Sequence, residues 1–151
     1  MILDRLPDLP GRKVLGTDGQ PLKYIGYWHA RFREPTTGMV SEGHEFHRYE
    51  ALLGPEVLPS PWDYVDIAWD ADERHVAFLY LRNAKEYESW KGRSACRFGC
   101  KGVDLGFRDF TDGVFVWPEG FAHYIDVHNV KPPEEFLRHM RARWKLMEPT
   151  R

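Results

Sequence analysis

The chain has 151 residues, of which 42% are hydrophobic and 29% charged, and its formal net charge is −2. That length can bury one core without disulfide or metal support, and the slightly acidic balance argues against nucleic acid as a partner, since phosphate binding needs a concentrated basic face. No apolar run approaches a membrane span and residues 1–13 lack a signal peptide's hydrophobic stretch, so no membrane contact and a cytoplasmic location are expected.

In chain order, residues 1–21 read as an irregular lead-in with a turn at Asp18-Gly19. "LKYIGYWHARFRE" (22–34) is aromatic and partly alternating, which predicts a strand closed by Pro35 and Gly38. "HEFHRYEALLG" (44–54) predicts a short helix stopped at Gly54-Pro55, and residues 54–62, with Pro55, Pro59 and Pro61, form an extended connector. That connector is too short to divide the chain, so residues 1–151 are expected to form a single domain.

A second helix is predicted after Asp70. Its side chain can cap the amides ahead while Glu73 reaches back, and Val76, Leu79 and Tyr80 supply one apolar stripe. Residues 86–95 read as a strand. "LGFRDF" (105–110) and "VFVW" (114–117) flank Thr111-Asp112-Gly113 as a hairpin, where glycine takes positive φ cheaply. Pro118 suits the first turn of a helix running to about His128. A last helix starts at Pro132-Pro133-Glu134-Glu135, acids first, and ends in basic residues, as the macrodipole prefers. Strands and helices thus mix without strict alternation, which predicts α+β: a small antiparallel sheet with about three or four helices, the C-terminal hairpin followed by two of them.

The only two cysteines, Cys96 and Cys100, are too few for a disulfide scaffold, so reduced thiols or a metal pair come first. They precede the hairpin, and His123 and His128 follow it on the predicted helix. Two thiolates and two imidazoles in that order match the tetrahedral N/S set that Zn²⁺ takes. Two features oppose a standard finger. The middle spacer of 22 residues is long, and five positions separate the histidines by roughly 140° around a regular helix. The alternative is that the cysteines are small buried residues and the histidines are separately hydrogen-bonded.

A catalytic grouping overlaps it. Glu119 and His123 are four apart and Asp126 is three further on, a set able to orient an imidazole for acid–base work; a cysteine beside His123 would make a nucleophile–base pair. His44 and His47 sit at i, i+3 without a third ligand at telling spacing and read as surface or partner-facing residues. Phosphate-cradling glycine loops, serine elbows and dinucleotide fingerprints are missing from the sequence.

The run "CRFGC…FTDGVFVWPEGFAHYIDVHNVKPPEEF", residues 96–136, resembles the C-terminal signature of a family of small, mostly uncharacterised bacterial proteins, its most distinctive part being Trp-Pro-Glu-Gly-x-x-His-Tyr. The resemblance implies a bacterial-type soluble domain and transfers no catalytic residue. Aromatic residues make up 15% of the chain, which suits a packed core or a recognition surface. The functional expectation is therefore a non-enzymatic, partner-binding or regulatory module whose partner is another protein, with Cys96, Cys100, His123 and His128 as candidate zinc ligands. The alternative is a small enzyme using His123 with Glu119, Asp126 or a cysteine.

Overall fold

The computed structural model describes residues 2–3, 14–28, 31–33, 40–42, 59–89 and 95–147. The helix expected over 44–54, with His44 and His47, and most of the 54–62 connector lie outside these residues. At the end of the connector Pro61–Tyr64 form a 3-10 turn, and the Ser60 hydroxyl accepts from the Trp62 amide.

Strands β1 (Lys23–Tyr24), β4 (Lys85–Ser89), β5 (Arg108–Thr111) and β6 (Phe115–Pro118) form one sheet in the order β1-β6-β5-β4. Strands β2 (Arg31–Arg33) and β3 (Val40–Glu42) pair as a separate antiparallel ribbon. Three helices follow the same numbering: α1 (Ala71–Arg82), α2 (Phe121–His128) and α3 (Glu134–Met147). The α+β class is borne out, as is the C-terminal hairpin followed by two helices. Within that class the sheet is mixed, because β1 joins β6 in parallel.

Strand β6 lies between β1 and β5 and is buried on both faces. Phe115 and Trp117 enter the large core with Tyr80 and Leu81 of α1, Phe121 and Ile125 of α2, and Phe136 of α3. Val116, pointing the other way, packs with Leu22, Tyr24 and Tyr27 in a smaller cluster. A strand covered on both sides has no use for alternation, which is why Phe-Val-Trp reads as a continuous apolar run. The Trp117 indole spends its one donor on the Leu81 carbonyl at 3.2 Å, so the largest buried side chain ties the sheet to the end of α1.

Local signals explain most boundaries. Asp70 caps α1 by accepting from the Glu73 amide at 2.9 Å. Glu73 does not complete the capping box; its carboxylate accepts from the Trp69 indole and from Arg141 on α3. At the hairpin Gly113 takes φ 95°, while Asp112 accepts from the amides of Val114 and Phe115 at 2.9 and 2.8 Å.

Two expectations are corrected. The long strand over 22–34 breaks after Tyr24, because Gly26 turns the chain at φ 78° against the Phe121 ring. Pro118 does not begin a helix. It ends β6 opposite Asp109, and Gly120 stands at the N-cap of α2. Glu119 therefore lies in the connecting turn, outside the first helical turn.

Candidate metal centre

Residues 95–107 are the described part of the connection between β4 and β5 and carry both cysteines. A tight turn folds its start, the Gly99 amide donating to the Cys96 carbonyl at 3.0 Å. That turn aims the Phe98 amide at Cys96 Sγ at 3.4 Å. Amides directed at sulfur favour the thiolate that a metal needs. The loop is anchored on α2 through Tyr124, whose hydroxyl accepts from the Arg97 amide at 2.8 Å and donates to the Ala95 carbonyl at 3.4 Å.

Helix α2 brings the histidines to the same place. It is irregular at both ends, which answers the angular objection. The His123 amide closes a three-residue step on the Gly120 carbonyl, and at the other end the Asn129 and Val130 amides both return to the Tyr124 carbonyl. Asn129 takes the left-handed conformation, φ 54°, that stops the helix immediately after His128. The two imidazoles end up with ring centroids 5.0 Å apart, crossed at 72°.

Cys96 Sγ and Cys100 Sγ each lie 3.3 Å from His128 Nε2. One ligand atom from each of Cys96, Cys100, His123 and His128 falls within 4.8 Å of every other. A tetrahedral zinc site with Zn–S of about 2.3 Å and Zn–N of about 2.0–2.1 Å has S···N edges of roughly 3.6 Å. The S···N separations of 3.3 Å are close to that edge, and the 4.8 Å span of the whole cluster is somewhat wider than a filled shell. His123 Nε2 is shielded from solvent and makes no hydrogen bond, an orphan that coordination would satisfy.

Burial sets the protonation of the apo site. It pushes the Cys96 thiol up to about 11 even though the amides of Phe98 and Cys100 oppose it. It pushes His128 down to about 4, with His123 beside it adding to the effect. His123 is lowered by burial as well, Asp126 acting the other way. Both imidazoles are thus neutral near pH 7, the form that coordinates.

Two aromatic residues that the spacing of cysteines and histidines did not single out complete the site. Phe98 stacks flat on His128 with centroids 4.1 Å apart and 7° between planes, and Trp62 covers Phe98 at 4.2 Å. The signal for Phe98 was its place between the cysteines. Trp62 arrives from the far side of the chain and left none. Its segment is held there by backbone bonds from the Asp66 amide to Asn129 and from the Lys131 amide to Tyr64.

The acid–base grouping is only partly assembled. Glu119, His123 and Asp126 all line one cavity of about 380 Å³, together with Arg82, Arg108 and Phe110. Glu119 is engaged by Arg108, at 2.8 and 3.3 Å, and by the Phe107 amide at 3.1 Å. The Arg108 guanidinium chiefly holds its carboxyl below the usual carboxylate range. Asp126 faces Arg74 at 3.9 Å. No carboxylate–imidazole hydrogen bond to His123 occurs among the described residues.

The site therefore defines a Cys₂His₂ cluster at the junction of a loop and a helix. Comparison of the chain with protein families, with curated proteins and with solved structures gives no match. No helix among the described residues is long and apolar enough to cross a membrane.

Proposed function

We propose that the chain is a non-enzymatic, partner-binding module in which one zinc ion, held by Cys96, Cys100, His123 and His128, fastens the 95–107 loop to α2. The observation that carries this is the convergence of four ligand atoms within 4.8 Å. Two thiolates and two imidazoles select zinc over the harder divalent ions, and a shell closed by four protein ligands leaves no open position for a substrate. Such an ion organises structure. The partner is a protein, and the exposed side chains of Trp62, Val65 and Ile67, on the short segment that covers the site, support this assignment.

The cavity beside α2 favours a second reading, in which His123 works as an acid–base group with Glu119 or Asp126. The two readings compete for one imidazole, because a zinc-bound His123 cannot shuttle protons. Elemental analysis of protein purified without a histidine tag separates them. The zinc reading expects close to one equivalent per chain, lost in Cys96→Ser and His128→Ala; less than a tenth of an equivalent in wild type overturns it.

A further inference from the structure

We propose that Cys100 is an oxidation site: its sulfur is oxidised by a hydroperoxide of the hydrogen peroxide class, the Cys96–Cys100 pair closes to a disulfide, and the ion is released. This rests on the zinc reading above and goes beyond it, because it makes the staple reversible.

The geometry points to Cys100 through an asymmetry. Cys96 is 2% exposed and belongs to the main core, whereas Cys100 is only partly buried at the core's edge. Phe98 lies flat on one face of His128 and is itself covered by Trp62. His123 Nε2 is shielded from solvent. Of the two thiols, Cys100 belongs to the less buried residue, and oxidation follows thiolate character together with access. The resolving partner is already in place. Cys96 Sγ lies within 4.8 Å of Cys100 Sγ, and the two cysteines flank one short turn closed by the Gly99 amide on the Cys96 carbonyl.

The chemistry balances in two steps. The Cys100 thiolate attacks one peroxide oxygen; the O–O bond breaks, hydroxide leaves, and the sulfur becomes a sulfenic acid. The Cys96 thiolate then attacks that sulfur; the S–O bond breaks, a second hydroxide leaves, and the S–S bond forms. Two thiolates have lost two electrons, the peroxide has gained them, and solvent protons convert both hydroxides to water. The disulfide offers no anionic ligand. His123 and His128 remain as a pair of neutral imidazoles, too few for a tetrahedral site, so the ion leaves. The bond from the Tyr124 hydroxyl to the Ala95 carbonyl lies outside the 96–100 turn and can hold the loop beside α2 for reduction and reloading.

The test uses the zinc-loaded full chain, treated with equimolar hydrogen peroxide in the presence of a chromogenic zinc chelator and followed by intact mass. Expected are one zinc released per chain, a mass decrease matching the loss of two hydrogens, and recovery of bound zinc after a thiol reductant. Zinc retained with both thiols intact, or oxygen added without a disulfide, overturns the proposal while leaving the metal reading standing. A wild-type chain that never carries zinc sinks both. The order of attack is read independently in wild type by limited alkylation and peptide mapping, where Cys100 should be modified at least ten times faster than Cys96. Equal rates refute the assignment of Cys100.

Discussion

Gly26→Ala is the substitution whose consequence the structure specifies most closely. Gly26 sits at φ 78°, and a Cβ built there would lie 2.5–2.8 Å from three atoms of the Phe121 ring. Phe121 is fully buried and opens α2, so it has little room to yield. Left-handed backbone costs an L-residue about 1–2 kcal/mol, and forcing extra volume into a packed core costs about 1–3 kcal/mol more. The expected loss is therefore about 2–5 kcal/mol. Gly19→Ala provides the matched control, since Gly19 has φ 77° and a Cβ there would meet nothing within 4 Å. It carries the same backbone strain and the same change in unfolded-chain entropy, without the collision. Urea unfolding of both variants, compared at equal m-values, should place Gly26→Ala below Gly19→Ala by about 1–3 kcal/mol. Because α2 carries both histidines, Gly26→Ala should also weaken zinc binding while Gly19→Ala does not. Destabilisation of the two variants that agrees within about 0.5 kcal/mol would refute the collision with Phe121 as the cause.

Two further outcomes concern charge. Burial of Asp112 would raise its pKa, but hydrogen bonds from His139, the Phe115 amide, the Tyr80 hydroxyl and the Val114 amide outweigh it and hold the carboxyl below its ordinary value. A depressed folded pKa contributes stability that is present above the unfolded value of about 3.9 and is lost as pH falls through the folded value. Asp112→Asn should accordingly be less stable than wild type at pH 7, with the gap narrowing below about pH 4; a gap independent of pH in urea titrations would refute this. Arg141 forks onto Glu73 at 2.9 and 2.9 Å and reaches Glu134 at 2.6 Å, tying α3 to α1. Arg141→Lys loses the bidentate geometry on a partly exposed site, so the expected cost is about 0.5–1 kcal/mol, shrinking in high salt; a loss unaffected by salt would argue for lost packing in its place.

What the sequence disclosed was local. The Asp70 cap, the Asp112-Gly113 turn and the acid-first α3 each depend on residues within one turn of one another, and each stands where propensity places it. The errors came from contacts that reach beyond a single turn. Pro118 obeys a rule for helix starts, yet its site is decided by the pairing of β6 with β5. Gly26 interrupts an apparently continuous strand because a phenylalanine almost a hundred positions later occupies its side-chain volume. The four candidate ligands were legible as residue types in a telling order. Their convergence was not, since it depends on how α2 closes at Gly120 and Asn129 and on the Tyr124 bonds that hold the loop against it.

The parallel seam between β1 and β6 bears on how the chain is made. Lys23 and Tyr24 pair with Phe115 and Val116. During synthesis at about 5–20 residues per second, roughly ninety residues separate the two partners, so β1 waits on the order of ten seconds for the strand that will hold it. In that interval Leu22, Tyr24 and Tyr27 lack Val116, the centre of their small cluster. Shortening the wait is not open to this topology, for a parallel partner cannot be delivered by a tight turn. Tyr24 can meet Leu3 on its other edge from the start, but the edge of β1 that faces β6 stays open until the C-terminal hairpin arrives, and that edge is where a chaperone or a stray strand would bind first.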